Sequence, residues 1–192
     1  AASDVYKRQE VLERYCSQVH KDRWLGDMLE GKIRSAYVMT EPNIASSDAA
    51  QLSFEAKRHG DDFILNGEKW WISGAGDPRC ALYILMANTN PEAPKHSRHT
   101  MFALDPKTSG IEVLRPMQVF GNDDAPHGHM HLRFTDVRIG KDAVILGEGR
   151  GFEVAQGRLG PGRIHHCMRA IGQAEKALEM MCRRGLSRTA FG

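Results

Sequence analysis

Gly60-Asp-Asp-Phe-Ile-Leu-Asn-Gly-Glu-Lys-Trp-Trp-Ile-Ser73 is the stretch on which the fold turns. Phe63 to Leu65 and Glu68 to Ile72 are two β-prone runs, and Asn66-Gly67 between them tolerates the positive φ of a type I′ turn. The pattern predicts a tight hairpin closed at Asn66-Gly67, preceded by a turn at His59 to Asp62. On the N-terminal side, Tyr37 to Thr40 is β-prone and stops at Glu41-Pro42, and Leu52 to Ala56 alternates at period two. On the C-terminal side come further runs at Ala81 to Met86, Thr100 to Leu104, Ile111 to Leu114 and Met130 to Phe134, with turn-rich stretches between them. Many short strands at this spacing predict a β-sandwich or barrel.

Helical patterns flank the strands. Val11 to Glu30 carries Val11, Tyr15, Val19, Trp24, Leu25, Met28 and Leu29 on one face, which predicts a single helix stopped by Gly31. From Gly151 the period changes again, and Ile164, Cys167, Met168, Ile171, Ala174, Leu178, Met181 and Cys182 form one stripe. Within that pattern Gly157, Gly160, Pro161 and Gly162 should weaken a helix, and such a local conflict often marks a functional or strained site. Gly147-Glu-Gly149-Arg-Gly151 reads as the turn into this helix, because a GxGxG outside a strand-loop-helix unit is weak as a dinucleotide fingerprint. The fold class is α+β. The expected divisions are a non-native leader over 1–9, helix over 10–34, a β-domain over 35–147 and a truncated helical start over 148–192. Ala1 to Gln9 lacks a start methionine and a targeting pattern, and the chain stops after a long helical pattern, so the reading is of a fragment.

Bulk properties exclude several classes. The 192 residues are 41% hydrophobic and 26% charged, an ordinary globular balance. A formal net charge of +2 gives no support for a nucleic-acid footprint. No apolar run is long enough to span a bilayer. Cys16, Cys80, Cys167 and Cys182 form no CxxC pair, so neither a zinc knuckle nor a disulfide framework is indicated. His127, His129 and His131 alternate and could share a strand face, but no second ligand cluster accompanies them, and no metal is expected. His165 and His166 are adjacent on a helix, which argues against a shared catalytic role.

Two strand-end motifs carry the chemistry: Tyr37-Val-Met-Thr40-Glu-Pro42 and Trp70-Trp71-Ile72-Ser73. Each joins apolar residues to a terminal hydroxyl, which suits a planar heteroaromatic ligand covered on its faces and hydrogen-bonded at its edge. Read without further context, Trp70 and Trp71 would divide between core and surface, and the hydroxyls would cap strand ends.

YVMTEP (37–42), SSDA (46–49), GDDFILNGEKWWISGAG (60–76), DVRIG (136–140), LGEGRGF (146–152) and RLGPGRIHHCMRAIGQAEKAL (158–178) together resemble the acyl-CoA dehydrogenase family in order and spacing. The last of these resembles the branch that includes family members ten and eleven. The resemblance implies an N-terminal helical domain, a middle β-domain and a C-terminal four-helix bundle, of which this chain holds the end of the first, the whole second and the start of the third. It implies FAD as cofactor, contacted by Tyr37, Met39, Thr40, Trp71, Ile72 and Ser73, with serine where the family usually has threonine. It implies that Arg188 reaches the FAD pyrophosphate of a neighbouring subunit, and that Ser47 and Arg163 serve the acyl-CoA. The loop Asn43 to Ser46 is one residue longer than the family's, and Ser47 is preferred over Ser46 on that account. Some relatives carry the catalytic glutamate at the position of Gly162; here the base is expected beyond residue 192, and the fragment alone is expected to be inactive. The implied partners are acyl-CoA, an electron-transfer flavoprotein and further copies of the chain, in α,β-dehydrogenation for fatty-acid β-oxidation. A same-fold acyl-CoA oxidase, a flavin monooxygenase and a non-catalytic interaction module are the alternatives.

Overall fold

The computed structural model describes residues 2–125 and 127–191. Its order is α1 (Ala2–Tyr15), α2 (Gln18–Leu29), β1 (Arg34–Val38), β2 (Glu55–His59), β3 (Asp62–Ser73), β4 (Cys80–Asn88), β5 (His99–Leu104), β6 (Ile111–Pro116), β7 (His129–Gly140), β8 (Val144–Ile145) and α3 (Gly151–Ser187).

The eight strands form one mixed sheet in the order β6-β7-β3-β2-β4-β5-β8, with β1 running parallel to β4 off this path. Side chains from β1 to β5 and β7 meet in one buried cluster, with Ile111 of β6 and Val144 of β8 packed against it. Strands at both ends of the order reach the same core, so the sheet curls around it rather than lying flat. β4 and β5 are buried on both faces. Tyr83, Leu85, Ala87, Phe102 and Leu104 enter the inner cluster, while Leu82, Ile84, Met86, Met101 and Ala103 enter a second one. That second cluster is closed by Val11 and Leu12 of α1, Trp24 and Met28 of α2, and Val154 and Ala155 of α3. Strict alternation between two cores explains why β4 reads as an unbroken apolar run.

Two expectations are corrected. First, Asn66-Gly67 does not close a hairpin: β3 runs straight through it. The hairpin closes instead at Gly60-Asp61, flanked by the His59–Asp62 pair. At Asn66-Gly67 the β3–β7 register slips between Leu65 and Gly67, and β7 carries the extra residue. There Asp136 takes a left-handed φ of 47°, its N–H donates to Asn66 Oδ1 at 2.9 Å, and Asn66 Nδ2 donates to Asp136 Oδ1 at 3.1 Å. Gly67 has φ 132°, and a Cβ there would meet the Phe54 ring at 2.9 Å. A bulge and a turn draw on the same residue chemistry, and the partner strand that decides between them lies seventy residues away in β7.

Second, Val11 to Glu30 is two helices. Ser17, in extended conformation, N-caps α2 by accepting from the His20 N–H. The stretch expected as a leader is helical from Ala2 onward, and Gln9 donates to Met28 O at 3.1 Å. Ala1 of that segment and the terminal Gly192 lie outside the described residues. The glycine-rich piece also behaves differently from expectation, since α3 continues through Pro161 over 37 residues.

Candidate cofactor-binding site

A second bulge builds the site. Lys69 pairs with Leu132 and Ile72 with Met130, so β3 spends one residue more than β7 over this interval. The irregularity falls on Trp70-Trp71, and Trp71 adopts φ 55°. Left-handed backbone is unfavourable for a bulky residue, and its retention marks a place where the surroundings over-determine the conformation. The bulge turns Trp71 and Ser73 to one wall of a cavity of about 220 Å³. Tyr37, Met39 and Thr40, at and just after the end of β1, form the opposite wall, and Arg158 and Leu159 of α3 complete it. A larger open groove of about 500 Å³ lies along α1 and α2, but its Gln18–Asp22 and Lys21–Glu13 pairs are exposed and already matched. It offers no buried donor awaiting a ligand.

Of the residues picked out from the sequence, five line this cavity: Tyr37, Met39, Thr40, Trp71 and Ser73. Ile72 sits between two of them but sends its side chain into the inner core, where it is 1% exposed, so it can offer the cavity only its backbone. Ser47 is exposed in the loop after Pro42, and the cavity walls do not include it. In that loop Ser46 is the engaged hydroxyl, accepting from the Glu41 N–H at 2.9 Å and donating to Ile44 O. Arg163 and Arg188 are exposed along and just past α3, away from the cavity. The alternating histidines divide. His129 Nδ1 is 2.8 Å from Ser73 Oγ, His131 Nε2 is 2.8 Å from Glu68, and His127 lies 3.5 Å from Asp77. Among the described residues no cluster of three or more metal-ligating side chains forms.

The two walls are locked together. Thr40 Oγ1 donates to Trp70 O, and Trp70 N–H returns a bond to Thr40 O at 3.0 Å. Beneath them lies an ion pair that sequence reasoning did not single out. Lys69 is fully buried and donates to Met39 O at 2.7 Å and to Glu41 Oε1 at 2.9 Å. Glu41, 4% exposed, also accepts from Ser53 N–H, Ser53 Oγ and Phe54 N–H. Burial pulls the Lys69 ammonium down to about 8, against the opposing pull of Glu41. Burial alone would push the Glu41 carboxyl up, but the Lys69 charge and the donated hydrogen bonds outweigh it and hold it below its usual value. A lysine between Glu68 and Trp70 in a β-run looks like an outward-facing polar position, so the only available signal was the Glu41–Lys69 charge complementarity.

Arg158 was also not singled out. Its guanidinium lies 4.0 Å from the centre of the Tyr37 ring. Its Nε and the Tyr37 hydroxyl are buried, and neither has a hydrogen-bond partner among the described residues. Burial raises the Tyr37 phenol above its ordinary value, opposed in part by Arg158.

Comparison with known proteins gives the family. Residues 36–137, just over half of the chain, match "Acyl-CoA dehydrogenase, middle domain", and residues 149–192 match "Acyl-CoA dehydrogenase, C-terminal domain". The chain belongs to the acyl-CoA dehydrogenase family. It is 54% identical over 183 residues to the probable acyl-CoA dehydrogenase IBR3 of Arabidopsis thaliana, covering 95% of this chain and 22% of that protein. It is 52% identical to mouse acyl-CoA dehydrogenase family member 10, covering 95% of this chain and 17% of that one. A solved structure described as an acyl-CoA dehydrogenase from Mycobacterium abscessus superposes with a TM-score of 0.83 at 52% identity, over 98% of this chain and 46% of the other. The chain thus spans about a fifth of these curated relatives and under half of that structure.

FAD is the cofactor typical of acyl-CoA dehydrogenases, and the cavity fits one part of it. Met39, Leu159, Tyr37 and Trp71 supply apolar and aromatic walls, Thr40 and Ser73 supply hydroxyls, and two buried donors lack acceptors. A planar ring with an electron-rich edge has the faces and the acceptors that this lining calls for.

Proposed function

We propose that this chain is the cofactor-cradling part of an FAD-dependent acyl-CoA dehydrogenase that introduces an α,β double bond into acyl-CoA thioesters in fatty-acid β-oxidation. The observation that carries the reading is the bulged, left-handed Trp71, which brings an aromatic wall and the Ser73 hydroxyl opposite Met39 and Thr40. FAD, when bound, supplies the hydride acceptor. The chain's own residues bind and orient. Trp71, Met39 and Leu159 give the cavity its apolar walls. Thr40 Oγ1 spends its proton on Trp70 O, so its remaining lone pairs can accept from a ligand N–H. The α proton of the substrate needs a positioned carboxylate. Gly162 cannot take it, so the base is supplied from elsewhere in the full-length protein. Ser47, Arg163 and Arg188 are proposed as contacts to CoA or the pyrophosphate once that remainder, or a second copy, stands beside them. An electron-transfer flavoprotein is the proposed acceptor of the electrons.

The test is flavin content. Full-length protein should purify with FAD or take it up on reconstitution, and Trp71→Ala should retain at least tenfold less, because a large apolar contact is lost. Equal flavin content in the variant and the parent would sink the assignment. Turnover of acyl-CoA with an artificial acceptor, without consumption of dioxygen, separates a dehydrogenase from a same-fold oxidase.

A further inference from the structure

Arg158 presents an unusual combination. Its guanidinium is permanently charged. No carboxylate among the described residues pairs with it. Its Nε is buried without an acceptor, and the Tyr37 hydroxyl beneath the stack is in the same position. Both side chains line the cavity that holds Thr40, Trp71 and Ser73. An unmatched buried donor is costly, and Nε is such a donor on a side chain that is otherwise half-buried. α3 nevertheless brings Arg158 in closely: at the preceding Gly157 a Cβ would fall 1.9 Å from the Tyr15 hydroxyl of α1, so the helix packs tightly against α1 there. Two unmatched donors on side chains that line one cavity, one of them on a cation with no paired carboxylate among the described residues, call for a ligand atom that accepts hydrogen bonds and carries or gains negative charge.

We infer that Arg158, stacked on Tyr37, is the electrostatic anchor for the electron-rich edge of the cofactor ring, and that its charge raises the affinity of the bound cofactor for electrons. The inference rests on the proposed FAD reading. Stacking fixes the guanidinium plane, so the charge is held rather than screened by motion. Inside a water-poor cavity a fixed cation stabilises negative charge arriving on its neighbour without reorganisation. Protein charge near the ring is one of the ways a protein tunes a flavin. The Tyr37 hydroxyl adds a neutral donor to the same edge.

The experiment uses the full-length protein loaded with FAD, with flavin stoichiometry and far-UV circular dichroism recorded for every variant. Two properties are measured that do not depend on turnover: the two-electron midpoint potential, and the dissociation constant of the complex that inorganic sulfite forms with oxidised flavin. Arg158→Met should weaken sulfite about tenfold and lower the potential by about 30 mV, the two-electron equivalent of that factor. Arg158→Lys, which keeps the charge, should stay within about threefold of the parent, and Tyr37→Phe should fall between the two. If Arg158→Met does not fold, the same comparison is made between Arg158→Gln and Arg158→Lys. Parent-like potential and sulfite affinity in the charge-removing variant would overturn the inference while leaving the FAD reading intact. So would a loss confined to binding of an acyl-CoA that carries a terminal carboxylate, since the pair would then serve a substrate acid. A parent protein that takes up no FAD under any reconstitution would remove the functional reading and this inference together.

Discussion

Lys69→Met is the sharpest test of how the site is held. The change removes donation to Met39 O at 2.7 Å and to Glu41 Oε1 at 2.9 Å. It leaves the Glu41 carboxylate 4% exposed, still bonded by Ser53 and Phe54 but without a countercharge. Removing one partner of a buried pair costs about 3–5 kcal/mol, because the survivor keeps its desolvation penalty. Two effects reduce this. Methionine fills much of the lysine's volume against the Phe54 ring, which Lys69 Nζ now approaches to 4.8 Å. Glu41 can also escape by taking up a proton. A loss of about 3 kcal/mol at pH 7 is the balance. The proton gives a second signature. In the parent the Glu41 carboxyl is held below its ordinary 4.5, so its contribution is present above that pH and lost as pH falls. In Lys69→Met the opposing burial dominates and the carboxyl moves above its ordinary value. The folded state then keeps its proton longer than the unfolded one, and the variant loses stability as pH rises from about 4.5, a slope opposite in sign. Urea unfolding of the full-length protein, followed by tryptophan fluorescence at pH 5 and pH 7, reads both. Adding Glu41→Gln to Lys69→Met should recover most of the loss. A single variant within about 0.5 kcal/mol of the parent at pH 7, with the parent's pH slope, would refute the reasoning.

The Lys69 ammonium, held at about 8 in the fold against an ordinary 10.5, should add stability as pH rises through that window, because only the unfolded chain still holds the proton there; Lys69→Met should lack this rise in a pH series of urea midpoints. Gly67→Ala should cost about 2–4 kcal/mol, combining a left-handed φ of 132° with a 2.9 Å approach to the Phe54 ring, and a thermal midpoint unchanged within a degree would contradict the bulge geometry. Asp77, whose carboxyl the Arg79 hydrogen bonds pull down to about 2, should stabilise the fold above its ordinary 3.8 and cease to do so as pH falls through 2. Asp77→Asn should therefore unfold earlier than the parent at pH 6 and at nearly the same point near pH 2. Cys16, which burial pushes up to about 12, should resist thiol reagents at pH 8 until the chain is unfolded, and rapid labelling of the native protein would refute its buried placement.

The strand-bearing middle of this chain was legible because its signals are local. The apolar runs of β4 and β5, the turn at Gly60-Asp61 and the change of period at Gly151 each lie within a few residues of the element they announce. The N-terminal boundary was misread for a local reason too: Ser17 is an ordinary N-cap, but an apolar stripe that continued past it concealed the break. The failures at Asn66-Gly67 and Trp70-Trp71 are of another kind. Both are bulges, and a bulge is a relation between two strands, here β3 and a β7 that begins more than fifty residues after β3 ends. No count along one strand shows which of the pair carries the extra residue.

That distinction also explains which site residues the sequence could give. Tyr37, Met39, Thr40, Trp71 and Ser73 belong to contiguous motifs and were found as motifs. Arg158, Lys69 and Glu41 gain their roles only from what the fold sets against them: a stacked phenol, a carbonyl of another strand end, a countercharge 28 residues away. Their chemistry is mutual. Lys69 sits on the strand that carries Trp71, and Glu41 follows the segment that carries Met39 and Thr40, so one buried pair fixes the spacing of the two walls. The bulge then sets the angle of the aromatic wall, and α3 closes the end with a charge. Each of these three devices violates a local preference: a buried lysine, a left-handed tryptophan, a helix that runs through Gly160-Pro161-Gly162. Violations of that kind persist where function needs the geometry they produce: here the left-handed tryptophan lines the cavity of about 220 Å³ directly, the buried lysine ties its two walls together, and the helix lends it Arg158 and Leu159.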